Sequence, residues 1–130
     1  MDSIFTKIVK GEIAAHKIAE DDRFLAFLDV FPLQKGHTLV IPKQQIDYIF
    51  DLDDTLLADL MVFAKKVAGG VKKATRAPRI GVTVIGLEVP QTHVHLIPIS
   101  KMDDMKFSHP KKKFPEAEMA EIARQIRESL

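Results

Sequence analysis

The 130-residue sequence contains no cysteine and no tryptophan, and its formal net charge is only +1. Without cysteine, neither a disulfide framework nor a thiolate metal site can form. The near-balance of charge disfavours a protein that binds nucleic acid through a broad basic face, although a few local groups can still hold one phosphate. A membrane-spanning helix needs about 18 or more consecutive apolar residues, and no segment provides them.

The N-terminal segment, residues 1–12, carries early acidic residues and lacks the apolar run of about 7–15 residues that a signal peptide needs. Together with the absence of cysteine, this favours a cytoplasmic protein that contacts no membrane. Hydrophobic residues make up 46% and charged residues 28% of the chain, proportions that are typical of a folded globular protein. We expect a single domain over residues 1–130, in which residues 101–130 form a C-terminal tail and helix.

The spacing of apolar residues predicts an α+β fold in which helices cover a five-stranded, mostly antiparallel sheet. The predicted elements are a helix over 3–10, strands over 16–20, 24–30 and 37–41, a long helix from Asp51 or Asp53, strands over 80–85 and 91–97, and a terminal helix from Pro115 whose buried stripe includes Leu130. Gly69 and Gly70 weaken the long helix, which we expect to end or fray there. Residues 101–114 are polar and basic, and we expect them to be exposed.

The segment 89–98, VPQTHVHLIP, contains the residues best suited to chemistry. Because side chains alternate along a strand, Gln91, His93 and His95 are expected on one face, about 6–7 Å apart. A neutral imidazole can attack phosphorus, while a second one can donate hydrogen bonds to phosphate oxygens or carry a proton. Backbone amides around Gly86 could add to the binding of an anion.

The same spacing of His93 and His95 is compatible with a metal site, because two histidines on one strand can ligate zinc. A third ligand would have to come from His37, Asp29 or Glu88. A metal-dependent enzyme therefore stays open as an alternative to catalysis by the imidazoles themselves.

The segment from Gln91 to Ile97 resembles the histidine-triad signature, in which three histidines alternate with apolar residues and two further apolar residues follow. Its surroundings are also similar to this family, since IFTKIVKGEI at 4–13 and EDDRFLAFLDVFPLQKGHTLVIPK at 20–43 resemble the family's N-terminal half. The resemblance covers about residues 3–105. It implies a homodimer with a joint ten-stranded sheet, and a hydrolase or transferase acting on the α-phosphate of purine nucleotide conjugates, either phosphoramidates or dinucleoside polyphosphates.

The resemblance also implies roles for particular residues. His93 would be the nucleophile that forms a nucleotidyl-histidine intermediate, His95 would bind the same phosphate, and His37 and Gln91 would support them. Asp29 would hold the ribose hydroxyls, unless it only caps a turn. The residues that would enclose the nucleobase, unless they are plain core, are Ile4, Phe5, Ile8, Phe27 and Val30. No cofactor is required, and any bound metal would be incidental.

Two positions depart from the family pattern. Gln91 stands in place of the first histidine, and it can exchange hydrogen bonds but cannot carry a proton. If that histidine moves a needed proton, the chain is instead a nucleotide-binding regulatory protein with weak or no turnover. The loop before it reads Gly86-Leu87-Glu88 where many relatives have Gly-Gln-Ser or Gly-Gln-Thr, so Glu88 could repel anionic substrates.

The remaining basic residues belong to no motif. His16 and His109 have no partner in any motif and are interpreted as surface residues. The run Lys111-Lys112-Lys113 is interpreted as a solvated patch, with a phosphate contact as the less favoured alternative.

Overall fold

The computed structural model describes residues 1–130 and contains one five-stranded sheet and three α-helices. In the spatial order β1-β2-β3-β5-β4, the strands are β1 (Lys17–Glu20), β2 (Phe24–Leu28), β3 (Thr38–Pro42), β5 (Val94–Ile99) and β4 (Arg79–Thr83). The helices are α1 (Ile4–Val9), α2 (Asp54–Thr75) and α3 (Glu116–Glu128), and single 3-10 turns lie at Ile49–Asp51 and Met102–Met105. Every neighbouring pair of strands is antiparallel, which confirms the predicted α+β class.

The first elements form as the local sequence predicts. Ser3 caps α1 by accepting a hydrogen bond from the Thr6 amide at 3.1 Å. Gly11 adopts a φ of +79°, a left-handed conformation that lets the chain leave the helix. The predicted hairpin of β1 and β2 is closed by Asp21, whose Oδ1 accepts from the amides of Arg23 and Phe24, both at 2.8 Å.

Strand β2 separates two hydrophobic clusters, because its side chains alternate between the two faces of the sheet. Phe24, Ala26 and Leu28 join the larger cluster, which α2 and α3 cover. Leu25 and Phe27 join a smaller cluster with residues of α1. Every residue of β2 and β3 is buried, so these central strands are covered on both faces.

The expected end of α2 at its paired glycines is wrong, since the helix runs from its cap at Asp53 through to Thr75. A Cβ on Gly70 would lie 2.7 Å from Leu130 Cδ2 and 3.1 Å from the Ile126 carbonyl oxygen. Glycine therefore permits the C-terminal segment to approach α2 closely, and this packing offsets its low helix propensity. None of the three helices has the length and apolar character needed to cross a membrane.

Most of residues 101–114 are exposed, as expected, but the segment is bonded to the rest of the protein. We name residues 106–114 the C-terminal strap. The Lys112 amide donates to the Pro32 carbonyl oxygen at 2.9 Å, and Phe114 packs against the larger cluster. The prediction that Leu130 belongs to the buried stripe of α3 fails. Leu130 lies beyond the helix end and is 45% exposed.

Candidate functional site

The candidate site lies at the start of β5, between β3 and the segment that carries α1. The prediction that the strand begins at Gln91 is wrong, because β5 begins at Val94 and residues 91–93 precede it without regular secondary structure. The rings of His93 and His95 nevertheless lie together, with centroids 5.0 Å apart. His37, one residue before β3, joins them with its ring centroid 5.2 Å from that of His95.

The hydrogen bond of His93 determines which of its ring nitrogens is free. His93 Nδ1 lies 2.7 Å from the backbone carbonyl oxygen of Gln91. A carbonyl oxygen only accepts hydrogen bonds, so Nδ1 carries the proton. In the neutral ring, Nε2 is then left with a free lone pair, which is the requirement for a nucleophile.

A second chain of hydrogen bonds fixes the opposite tautomer for His95. The Leu33 amide donates to His37 Nδ1 at 3.0 Å, so the proton of a neutral His37 is on Nε2. His37 Nε2 lies 2.9 Å from His95 Nδ1 and donates to it. The proton of a neutral His95 is therefore on Nε2, where it can be donated to a phosphate oxygen.

Burial keeps this pair of rings neutral. It lowers the pKa of His37 to about 3, with a smaller contribution from the neighbouring His95. Burial also lowers the pKa of His95 to about 4, and the charges of His93 and Lys111 act in the same direction. Both rings are thus uncharged near pH 7, as the tautomers assigned from their hydrogen bonds require.

The free nitrogens of His93 and His95 are open to solvent although the side chains are largely buried. The two residues are only 7% and 6% exposed. No fully buried side-chain nitrogen or oxygen lacks a hydrogen-bond partner, and neither Nε2 has one within the protein. Both Nε2 atoms must therefore reach the surface, where they offer a ligand one lone pair and one N–H.

Asp29 caps a turn and also lies close to His37. Its Oδ1 accepts from the Phe31 amide at 2.9 Å, as a turn-capping acid does. Its Oδ2 lies 3.6 Å from His37 Nε2, close to the site but beyond hydrogen-bond distance. Burial raises the pKa of Asp29, and the hydrogen bond from Phe31 opposes that rise.

A metal ion would find a different set of ligands from the one centred on His93 and His95. Donor atoms of Asp29, His37 and His95 lie within 4.8 Å of one another, and this mixture of nitrogen and oxygen suits zinc. The facing nitrogens of His37 and His95 already share a hydrogen bond, which a metal would have to replace.

The residues expected to enclose a nucleobase divide into two groups. Ile8 and Phe27 are buried in the smaller cluster, whereas Ile4 and Val30 are 50% and 58% exposed. Phe5 links the two environments, since its ring centroid lies 5.5 Å from that of Phe27 and 5.0 Å from that of His93. Ile4 and Val30 are thus free to contact a ligand, and Ile8 and Phe27 support Phe5 from the core.

The loop before the site bends at Gly86, whose φ is +76°. Leu87 and Glu88 are exposed. Glu88 is close enough to Asp29 for its charge to be a minor contributor to the raised pKa of that acid. The charge of Glu88 therefore acts on Asp29, and its effect on an anionic substrate stays a prediction.

The side chain of Gln91 is fully buried and bonds to α1 and β3 rather than to an imidazole. Its Nε2 donates to the Pro42 carbonyl oxygen at 2.9 Å. Its Oε1 accepts from Thr6 Oγ1 at 2.8 Å and from Ser3 Oγ. Only its backbone carbonyl contacts a histidine.

Phe107 of the C-terminal strap was missed by the sequence analysis. Its ring centroid lies 4.9 Å from that of His95 and 6.3 Å from that of His37. Lys111 Nζ lies 4.9 Å from the Phe107 ring centroid and donates to its carbonyl oxygen at 2.9 Å. A lone aromatic residue within the basic segment 101–113 was the available signal.

Of the two histidines interpreted as surface residues, His109 is exposed, whereas His16 is partly buried. His16 Nε2 lies 2.9 Å from Glu116 Oε1, and the His16 side chain is only 19% exposed. His109 Nε2 lies 2.9 Å from Asp103 Oδ2. The first pair joins the chain before β1 to the start of α3 and the second pair is local, and neither involves the candidate site.

Comparison with known proteins shows which family this chain resembles. The HIT domain model matches residues 10–102. An uncharacterized HIT-like protein of Borreliella burgdorferi is 36% identical over 133 residues, which cover 96% of each chain. An adenosine 5'-monophosphoramidase of Saccharomyces cerevisiae is 38% identical over 96 residues, which cover 73% of this chain and 61% of the yeast enzyme.

Among solved structures, a Hit-like protein from Bartonella henselae has a TM-score of 0.84 at 32% identity, with 99% of this chain and 97% of that chain covered. The family match at 10–102 includes His37, His93 and His95. It leaves out α1 and the C-terminal strap, which contribute Phe5 and Phe107 to the site.

Proposed function

Since this chain belongs to the histidine triad (HIT) family, we propose that it hydrolyses or transfers the nucleotidyl group of purine nucleotide conjugates. The conjugates we expect are nucleoside phosphoramidates and dinucleoside polyphosphates. The yeast relative named as an adenosine 5'-monophosphoramidase supports the first of these classes.

His93 Nε2 attacks the α-phosphorus, and a bond from that nitrogen to phosphorus forms. The bond from phosphorus to the leaving group breaks, and the leaving group departs with the electron pair and takes up one proton from solvent, which the later attack by water returns. His95 Nε2–H donates to a phosphate oxygen and stabilises the charge that develops there. Water then attacks the same phosphorus and releases a nucleoside monophosphate and neutral His93.

The rest of the nucleotide is held by the surroundings of the histidines. Asp29 Oδ2 accepts from the ribose hydroxyls, and Phe5, Ile4 and Val30 contact the purine from the side of α1. The backbone around Gly86 adds donors for the phosphate. This chemistry uses nitrogen and hydrogen-bond donors only, and no metal takes part in it.

The observation that carries the proposal is the pair of opposite tautomers at His93 and His95. One ring offers a lone pair and the other an N–H, both at Nε2, both open to solvent and 5.0 Å apart between ring centroids. Attack on a phosphorus and stabilisation of its oxygen require these two groups side by side.

The test is a rapid-mixing experiment with adenosine 5'-phosphoramidate. The expected result is a burst of released amine and, after quenching in base, a protein mass raised by one adenylyl group. His93→Ala is expected to abolish both signals, whereas His16→Ala, which removes a histidine outside the site, is expected to keep them. A parent chain that binds adenosine monophosphate but shows neither signal would contradict the proposal.

Binding of adenosine monophosphate without a burst would instead favour a nucleotide-binding regulatory protein with little turnover. That alternative follows from Gln91, which cannot carry a proton. Loss of the burst on treatment with a chelator, and its return with zinc, would favour a metal-dependent reaction at Asp29, His37 and His95.

A further inference from the structure

The hydrogen bonds around Gln91 leave its amide only one orientation. The Pro42 carbonyl oxygen can only accept, so the NH2 group of Gln91 must face it. The amide oxygen then faces α1 and accepts from the hydroxyls of Ser3 and Thr6. The side chain thus acts as a donor toward β3 and as an acceptor toward α1.

The two hydroxyls are themselves held in place. Ser3 Oγ accepts from the Thr6 amide at 3.1 Å, so its own proton is free for Gln91. Gln45 Oε1 accepts from the Ser3 amide at 2.7 Å. Thr6 Oγ1 lies 2.8 Å from both Gln45 Oε1 and Gln91 Oε1, so these two oxygens share its single proton. The N-terminal cap of α1 is therefore tied to the chain just before β5 through Gln91 and to the chain just after β3 through Gln45.

A charged group at position 91 does not fit these surroundings. Gln91 is 0% exposed, and none of its hydrogen-bond partners is an acid. A protonated imidazole there would be a buried cation without a counter-ion, which is strongly unfavourable. A neutral imidazole could still accept from one hydroxyl and donate to Pro42. The pocket thus selects a neutral donor and acceptor, which glutamine is at every pH.

The site also has three imidazoles without position 91, because His37 supplies the third. It is His37 that donates to His95 and sets its tautomer. The contact of Gln91 with the nucleophile is through its backbone carbonyl, which holds the proton of His93 on Nδ1. The helix that the Gln91 side chain ties down carries Phe5, whose ring packs against His93.

We propose that Gln91 is a positioning residue, a neutral clamp that fixes α1 and the carbonyl of residue 91 so that His93 keeps its free Nε2. Its departure from the histidine pattern then leaves the reaction intact, since no proton passes through position 91. The catalytic part of this inference rests on the proposed function, whereas the tautomer of His93 does not.

The test compares Gln91→Met, which keeps the length of the side chain but none of its hydrogen bonds, with Gln91→His. Nitrogen-15 NMR of the imidazoles is expected to show His93 protonated on Nδ1 in the parent and a mixture of tautomers in Gln91→Met. The burst rate with adenosine 5'-phosphoramidate is expected to fall about tenfold in Gln91→Met, as a small misplacement of a reacting group can cause. Gln91→His is expected to recover most of that loss without adding an ionisation to the pH–rate profile.

A core variant separates positioning from general destabilisation. Val67→Ala truncates a buried residue of α2 in the larger cluster and is expected to lower stability while keeping the parent tautomer and rate. Should Gln91→Met fail to fold, Thr6→Val removes one donor to the same oxygen and is expected to shift the tautomer less, in the same direction.

A Gln91→His variant that is faster than the parent and shows an added ionisation would establish position 91 as a proton carrier and overturn the inference. Parent-like tautomer and rate in Gln91→Met would overturn it equally. If the parent itself gives no burst, the proposed function fails, and the NMR comparison still decides whether Gln91 positions His93.

Discussion

A neutral imidazole has one donor and one acceptor, so a partner on one ring nitrogen determines what the other can do. At this site two backbone groups and one histidine make that choice. The Gln91 carbonyl leaves His93 with a lone pair at Nε2, and the Leu33 amide, acting through His37, leaves His95 with an N–H at Nε2. The roles of two identical side chains therefore differ because of their neighbours.

The burial of His37 and His95 predicts that the protein loses stability in mild acid. Their folded pKa values of about 3 and 4 lie below the ordinary value of 6.5. Between those limits the unfolded chain binds more protons, so the free energy of unfolding should fall as the pH drops from 7 to 5. The measurement is chemical denaturation across that range, above the region where most carboxylates titrate. The raised pKa of Asp29 acts in the opposite direction, mainly nearer its own range.

His37→Gln isolates the contribution of one ring. It is expected to reduce the slope of stability against pH by about one bound proton in this range, whatever its effect on stability itself. Val67→Ala, which truncates a buried residue without an ionisable group, should leave the slope unchanged. An unchanged slope in His37→Gln would mean that His37 is not buried in a neutral form.

At this scale the sequence predicts which residues meet, and it does not predict how they are bonded. The spacing of His93 and His95, and the likeness to the family at His37, brought the correct imidazoles together. The partners that set their tautomers are main-chain groups of Leu33 and Gln91, which no side-chain pattern reveals. The contact of Gln91 with Ser3 spans 88 residues and depends on how α1 packs.

Among the elements, α2 shows how packing overrides propensity. The two adjacent glycines have different surroundings, since a Cβ on Gly69 would meet nothing within 4 Å, whereas one on Gly70 would press on Leu130 and the Ile126 carbonyl. Gly69→Ala is therefore expected to raise the free energy of unfolding by up to about 1 kcal/mol. Gly70→Ala is expected to lower it, because the same gain in propensity is opposed by a steric clash.

Thermal and chemical denaturation of the two variants provide the check, with each glycine serving as the control for the other. Equal stabilisation by both alanines would show that α3 does not approach α2 as closely as the structure indicates. The sequence could predict the helix and its cap at Asp53, but the reason that Gly70 does not end it lies in residues more than 50 positions away.

We expect Lys111 of the C-terminal strap to contribute to substrate specificity. Its ammonium group lies over Phe107, which packs on His95, and its charge adds to the effect of burial in lowering the pKa of both His37 and His95. A substrate with further phosphates beyond the α-phosphate would place negative charge near this group. Lys111→Ala is expected to raise the KM for a dinucleoside polyphosphate about fivefold, an effect at the upper end for an exposed ion pair.

The KM for a phosphoramidate substrate whose leaving group is uncharged should change little in the same variant. Lys113→Ala provides the matched control, since Lys113 is exposed in the same strap. Equal effects of the two substitutions on both substrates would show that Lys111 acts only through the general surface charge. The strap is mostly exposed, as its polar composition predicted, but composition alone could not predict that Phe107 and Phe114 pack against the protein and fix its path.

For the molecule as a whole, the two edges of the sheet differ in how ready they are to pair with another strand. At one edge, the Lys17 carbonyl oxygen of β1 accepts from Arg127 Nη1 at 2.8 Å, and Lys17 and Glu20 add charge. Edge strands with charged side chains or covered backbone resist pairing. At the other edge lies β4, with Val82 on the strand and Ile85 just beyond it 50% and 45% exposed. The homodimer that the family resemblance implies is therefore expected to form through β4, so that two five-stranded sheets become one of ten strands.

Val82→Lys tests this expectation, because it places a charge in the middle of the exposed β4 edge. Sedimentation velocity is expected to show a dimer for the parent and a shift toward monomer for Val82→Lys. Val62→Lys is the control: Val62 is 66% exposed on α2, in a groove that it forms with Ala19 and Arg23 at the β1 side of the sheet. A dimer that resists Val82→Lys and dissociates with Val62→Lys would place the interface at the β1 edge, and a monomeric parent would exclude the ten-stranded sheet.

Because β4 pairs directly with β5 at Thr83 and His95, an interface on β4 would also stiffen the strand that carries the phosphate-binding histidine. The burst rate is therefore expected to fall on dilution below the dissociation constant of the dimer.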